Sequence, residues 1–74
     1  MHNMTTPALQ VSLNGKRLDT QATTLQALLL DQGYALQGAF ACAINSTFVP
    51  RAQWPERRLQ ADDRIDVITP IAGG

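Results

Sequence analysis

The sequence lacks several features, and each absence excludes or disfavours a class of protein. Its 74 residues include one cysteine, which excludes an internal disulfide and fits a reducing compartment. Six basic and six acidic residues leave no net charge, so the composition does not favour binding to nucleic acid or to an anionic membrane. No apolar run approaches the roughly 20 residues that span a bilayer, and residues 1–7 do not resemble a secretory signal. We therefore expect a cytoplasmic protein.

The chain also lacks the patterns that most small-molecule enzymes need. No glycine-rich loop precedes a Lys-Ser or Lys-Thr pair, no metal-ligand cluster is present, and the one histidine, His2, lies near the start. A chain this short buries only about 60% of the surface that its unfolded form exposes, so a deep cavity is not expected. The prediction is a protein that is not an enzyme and that binds no metal or cofactor itself.

The pattern of apolar and polar residues predicts one α+β domain. We place a disordered lead-in at 1–7, the domain at 8–69 and a flexible tail at 70–74. The predicted elements are strands at Leu9–Leu13, Lys16–Asp19, Ala39–Ile44, Phe48–Val49 and Ile65–Thr69, and a helix from Leu25 to about Gln32. The order is ββαβ(β)β, in which one helix must cover one sheet.

Turn and capping signals mark the ends of these elements. Asn14-Gly15 is a favoured two-residue hairpin turn. Thr23 and Thr24 can each cap the start of the helix, and Thr23 with Gln26 has the spacing of a capping box. Gly33 stands where a left-handed residue ends the helix. These signals predict where the helix begins and ends.

The predicted core lies between the helix and the sheet. Leu25, Leu28 and Leu29 follow helical spacing and share one face, so we expect all three to be buried. Cys42 has the same strand parity as Ile44, which predicts a buried cysteine without a role in the chemistry.

The segment after the fourth predicted strand is irregular. Pro55 is expected to force Trp54 towards extended geometry. Two roles fit the Trp54 side chain, which can anchor a partner or pack beneath the irregular segment. Arg51 is the arginine best placed to meet an acidic partner surface, although scattered surface charge is the commoner explanation for such residues.

The second half of the chain carries a specific pattern of residues. It runs Ala43-Ile44-Asn45, then Val49-Pro50-Arg51, then Trp54, and ends Ile71-Ala72-Gly73-Gly74. With these motifs, the chain resembles the ThiS-type sulfur carriers of thiamine thiazole biosynthesis over about residues 9–74. One departure is Ala61-Asp62-Asp63, where the family commonly has a glycine before the aspartate; Asp62 can tolerate a left-handed turn there, though less readily than glycine.

The resemblance implies an α+β fold of the β-grasp, ubiquitin-like type. Such a fold has a mixed sheet of four to five strands covered by one main helix, and a mobile C-terminal tail. The final strand is expected at the centre of the sheet, although the spacing of residues does not by itself fix the strand order.

The resemblance also implies that Gly74 is the reactive residue of a protein co-substrate. An E1-like adenylating partner of the ThiF type would use ATP with Mg to activate the Gly74 carboxylate. A persulfide donor, such as a cysteine desulfurase or a rhodanese domain, would supply the sulfur. The resulting thiocarboxylate would deliver that sulfur to a thiazole synthase of the ThiG type.

The residues next to Gly74 have their own implied roles. Gly73 and Ala72 would thread a narrow channel in the partner, and the pair Gly73 and Gly74 has no Cβ that could clash there. Ile71, Arg51 and Trp54 are candidate partner contacts. No contact with nucleic acid or membrane is expected.

Three other functions share some of these features. A carrier for another pathway, such as the one that builds the dithiolene of the molybdenum cofactor, has the same Gly-Gly end. A ubiquitin-like modifier would be joined through Gly74 to a lysine of a target protein. A passive binding module would have an inert tail. The segment Val49-Pro50-Arg51-x-x-Trp54 favours the thiazole pathway.

Overall fold

Five strands, one α-helix and a short 3-10 helix make up residues 8–70, the part of the chain that the computed structural model describes. The elements are β1 (Leu9–Leu13), β2 (Lys16–Thr20), α1 (Leu25–Asp31), β3 (Ala41–Ile44), β4 (Thr47–Val49), the 3-10 helix (Arg51–Gln53) and β5 (Arg64–Ile68). This confirms the predicted order of strands and helix. The predicted lead-in at 1–7 and the tail residues 71–74 lie outside the described residues.

The last strand is at the centre of the sheet. The strand order is β2-β1-β5-β3-β4. β1 and β5 are parallel, with Leu13 opposite Ile65, and the other neighbouring strands are antiparallel. The mixed sheet with one main helix is the arrangement that the β-grasp expectation requires. Strand β5, which leads towards Gly74, therefore has a neighbour on each edge.

Both hairpins turn through residues with positive φ. Asn14 (φ 53°) and Gly15 (φ 84°) connect β1 to β2, and Asn45 (φ 53°) and Ser46 (φ 69°) connect β3 to β4. Positive φ at both central residues is what a type I′ turn requires, and asparagine and glycine reach it at low cost. The left-handed turn expected at Asp62 is also present, with φ 68°.

Helix α1 begins after Thr24. The Thr24 hydroxyl oxygen accepts a hydrogen bond from the Ala27 backbone N–H at 3.2 Å, and Thr24 has the extended backbone of a cap. The capping box predicted between Thr23 and Gln26 is wrong, because the cap is Thr24 and the Gln26 backbone N–H donates to the Trp54 carbonyl at 3.1 Å. Gly33 has φ 89°, the left-handed conformation predicted after the helix.

The core lies between α1 and one face of the sheet. The three helix leucines predicted as core are fully buried. The buried apolar residues are Val11, Leu13, Ala22, Leu25, Leu28, Leu29, Cys42, Ile44, Val49, Trp54, Leu59 and Ile65. Cys42 is buried as predicted, and desolvation raises the pKa of its thiol to about 11, partly offset by the charge of Arg51.

The backbone of Trp54 differs from the expectation. It has φ −55° and ψ −42°, which is right-handed helical geometry, although Pro55 follows. The Trp54 backbone N–H donates to the Arg51 carbonyl at 3.1 Å, and the indole N–H donates to the Val49 carbonyl at 3.0 Å. Burial of the large ring and these two hydrogen bonds outweigh the steric bias that proline imposes on the preceding residue.

Other differences are confined to the ends of elements. Strand β2 extends to Thr20 and β5 runs from Arg64 to Ile68, each within one residue of the prediction, whereas β3 begins at Ala41, two residues later than predicted. Among residues 8–70, no helix is long and apolar enough to cross a membrane. The same residues contain no group of three or more His, Cys, Asp and Glu side chains that could hold a metal ion.

Candidate functional site

The chain after β5 carries the predicted reactive residues. Pro70 is the last described residue, and it is exposed. Gly74, Gly73, Ala72 and Ile71 lie outside the described residues, so their roles stay predictions. The structure describes the platform from which these residues extend, namely β5 and its surroundings.

A hydrogen-bonded network fixes the start of β5. The Asp63 side chain is buried, and its carboxylate accepts from the Asn45 amide at 3.0 Å and from the Gln60 backbone N–H at 2.8 Å. The Arg57 guanidinium lies 3.6 Å from the same carboxylate. Asn45 also accepts from the Arg64 backbone N–H at 2.9 Å. A buried carboxylate needs such partners, so the motif residue Asn45 has a structural role here.

Arg51 ties the loop before β3 to the 3-10 helix. Its guanidinium donates to the carbonyl oxygens of Gly38 at 2.7 Å and Phe40 at 2.9 Å, and also to that of Leu36. The guanidinium carbon lies 4.4 Å from the centre of the Trp54 ring and 5.3 Å from that of Phe40. The Trp54 and Phe40 rings are stacked, with centres 5.2 Å apart. The structure thus brings together Arg51 and Trp54, two residues of the sequence motif.

Two roles were predicted for Trp54, namely anchoring a partner and packing beneath the irregular segment. In the structure its side chain packs beneath that segment, with 2% of the residue exposed. Arg51 is exposed as a residue, but its guanidinium is occupied by three backbone carbonyls. Contact of Arg51 or Trp54 with a partner stays a prediction.

The sheet face opposite α1 carries an exposed apolar surface. Phe48 is 63% exposed and Ile68 is 54% exposed. Two half-buried alanines lie between them, since Ala43 pairs with Phe48 and Ala41 pairs with Ile68. The half-buried Asp66 of β5 also pairs with Ala43 and lies on the same face. Paired residues share one face of a sheet. We call Ala41, Ala43, Phe48 and Ile68 the open-face patch; it reaches the last residue of β5.

Sequence analysis did not single out the open-face patch, although alternation along the strands carries a signal for it. Val49 is paired with the core residue Cys42, so the preceding Phe48 must lie on the other face. The same argument places Ile68 opposite to Val67, which is paired with Cys42 and packs against the core. Register, which the sequence left open, was needed to see that Phe48 and Ile68 share a surface.

Comparisons with known proteins agree with this architecture. The model of the ThiS family matches residues 5–74. The sulfur carrier protein ThiS of Escherichia coli (strain K12) is 35% identical over 66 residues, which cover 89% of this chain and 100% of that protein. The crystal structure of the thiamine biosynthesis protein ThiS from Geobacter metallireducens has a TM-score of 0.76 at 16% identity, covering 89% of this chain and 100% of the other, and supports the ubiquitin-like fold. The chain belongs to the ThiS family.

Proposed function

We propose that this chain is a sulfur carrier for thiamine thiazole synthesis and that Gly74 holds the sulfur as a thiocarboxylate. The observation that carries the proposal is the family match over residues 5–74, a range that includes Gly74. The relative from Escherichia coli, which is matched over its whole length, is described as a sulfur carrier.

The chemistry follows from the weak reactivity of a carboxylate, which is a poor electrophile. The ThiF-type partner transfers AMP from ATP to the Gly74 carboxylate, with Mg and with release of pyrophosphate. The terminal sulfur of a persulfide donor then attacks the acyl carbon and displaces AMP. A thiol cleaves the resulting sulfur–sulfur bond, which leaves one sulfur on Gly74 for the ThiG-type thiazole synthase. In this scheme the chain is a co-substrate, and ATP and Mg belong to the partner.

We further propose that the adenylating partner docks on the open-face patch. Gly74 is six residues after Ile68, so its carboxylate lies at most about 20 Å from the patch. An enzyme that encloses Gly74 is therefore held close enough to contact the sheet near the end of β5. Exposed apolar surface is typical of protein interaction sites. The patch places two large exposed apolar side chains, Phe48 and Ile68, near the end of β5, beside the half-buried Asp66.

Intact mass spectrometry tests the proposal. The purified chain is incubated with a ThiF-type enzyme, ATP, Mg and a persulfide donor. The expected result is a gain equal to the replacement of one oxygen by sulfur. A matched variant with residues added after Gly74 must show no gain, because its carboxylate is displaced from the reactive position.

Other outcomes separate the alternatives. Conjugation to a second protein would indicate a ubiquitin-like modifier and contradict the proposal. A thiocarboxylate that a ThiG-type synthase does not consume would favour a carrier for another pathway, such as dithiolene synthesis. An unchanged mass, or a gain that the extended variant shares, would contradict sulfur loading at Gly74.

A further inference from the structure

We infer that Asn14 is a positioning residue for the reactive segment, because its side chain holds the end of β5 from the β1 edge. This inference rests on the proposed function of Gly74. Asn14 is the first residue of the turn between β1 and β2, far from the reactive residues in sequence. Its side-chain oxygen accepts a hydrogen bond from the Val67 backbone N–H at 2.8 Å.

The contact matters because β1 is too short to pair with the whole of β5. The parallel register joins Ser12 to Arg64 and Leu13 to Ile65, after which the chain turns into β2. The Asn14 backbone N–H donates to the Ile65 carbonyl at 2.9 Å. The side chain of the same residue then reaches Val67, so Asn14 continues the ladder after the β1 backbone has turned away.

The second hairpin uses the same device at the other end of β5. Asn45 also has φ 53° at the first position of its turn, and its side-chain oxygen accepts from the Arg64 backbone N–H at 2.9 Å. One asparagine therefore holds the start of β5 from the β3 edge, and the other holds its end from the β1 edge. Asn14 is the one next to the chain that leads to Gly74.

The turn alone does not explain this contact. A type I′ turn needs positive φ at its first position, and glycine meets that need as well as asparagine does. Only a side-chain acceptor can bind the Val67 N–H. Asn14 thus has two separable roles, to form the turn and to fix Val67, which directly precedes the patch residue Ile68.

Fixing Val67 sets the direction in which the chain leaves the sheet. Without the Asn14 acceptor, the last residues of β5 are held from the β3 edge alone, through the pair of Ala41 and Ile68. The complex with the adenylating partner must then order these residues on binding, which weakens the complex. We expect a higher KM for the carrier and an unchanged kcat, since the reacting atoms are not altered.

Two substitutions separate the roles of Asn14. Asn14→Gly keeps the turn and removes the acceptor, whereas Asn14→Asp keeps both an acceptor oxygen and a residue that tolerates positive φ. In the free protein, Asn14→Gly should accelerate hydrogen exchange of the Val67 amide about 3- to 10-fold, in line with the loss of one hydrogen bond. Asn14→Asp should exchange at the wild-type rate.

Adenylation kinetics complete the test. Asn14→Gly should raise the KM for the carrier about 3- to 10-fold at constant kcat, whereas Asn14→Asp should have the wild-type KM. Unchanged exchange at Val67, faster exchange without a change in KM, or equal effects of both variants would each overturn the inference. If the wild-type chain is not adenylated at all, the proposed function fails, while the exchange measurement still reports on the Val67 contact.

Discussion

Arg51 illustrates how one side chain can stabilise two segments that are distant in sequence. Its guanidinium donates to three carbonyl oxygens of the loop before β3 and lies over the Trp54 ring. Arginine suits this position because its planar fork presents several donors and also stacks on an aromatic face. A residue that the family motif singles out is therefore a structural clamp in this chain.

The clamp predicts a loss of stability for Arg51 variants. Arg51→Ala should lower the free energy of unfolding by about 1–2 kcal/mol, since it removes charged hydrogen bonds and a cation–π contact at a solvent-exposed site. Arg51→Lys should recover only part of that loss. Urea unfolding provides the measurement, with Arg58→Ala as the control because Arg58 is an exposed arginine in the same segment. Equal losses at Arg51 and Arg58 would contradict the clamp.

Cys42 gives a prediction about pH. Burial raises the pKa of its thiol from 9.0 to about 11, so the folded protein binds this proton more tightly than the unfolded chain. The contribution of the protonated Cys42 thiol to the free energy of unfolding is fully present below pH 9 and is lost as the pH rises towards 11. Between these values, the free energy of unfolding of the wild type should fall more steeply than that of Cys42→Ala. Parallel pH profiles of the two proteins would contradict the buried, protonated thiol.

At the scale of elements, the start of α1 depends on one threonine. Thr24→Ala should lower the free energy of unfolding by about 1 kcal/mol, because the Ala27 N–H loses its acceptor. Thr23→Ala is the matched control and should have little effect, since its side chain is exposed. Thermal or urea unfolding can measure both. A larger loss for Thr23 than for Thr24 would restore the capping box that the sequence predicted.

Local signals explain which elements the sequence could predict. Asn14-Gly15, Gly33 and the leucine spacing of α1 act within a few residues, and the turn, the helix end and the buried face are all present. Prediction failed where distant contacts decide the conformation. Trp54 adopts helical geometry despite Pro55, and its buried ring stacks on Phe40 of the loop before β3, a contact that the local sequence does not specify.

The candidate site could be predicted only in part. Its motif residues were visible in the sequence, but the grouping of Arg51 with Trp54 depends on packing. The open-face patch needs the pairing register between β3, β4 and β5, which no local pattern specifies. The contact between Asn14 and Val67 likewise spans 53 positions of the sequence.

For the whole molecule, the open-face patch predicts where the adenylating partner binds. Phe48→Gln should reduce kcat/KM for adenylation of the carrier about tenfold, because it removes a central aromatic contact of the proposed interface. Its effect on stability should be small, since Phe48 is 63% exposed.

Leu30→Gln is the matched control for this prediction. Leu30 is 54% exposed and lies on α1, which covers the opposite face of the sheet. Its replacement should leave adenylation unchanged. Equal losses in the two variants, or no loss at Phe48, would show that the partner does not use the open-face patch.

Sulfur at Gly74 is the central claim about this chain, and one measurement tests it directly. The C-terminal peptide is isolated from cells that are starved of thiamine and contain the natural partners, and its mass is determined. We predict a fraction of peptide in which sulfur replaces one oxygen of the Gly74 carboxyl group. If that peptide carries only the ordinary carboxylate under starvation, while the partner enzymes are present and active, the central claim is wrong.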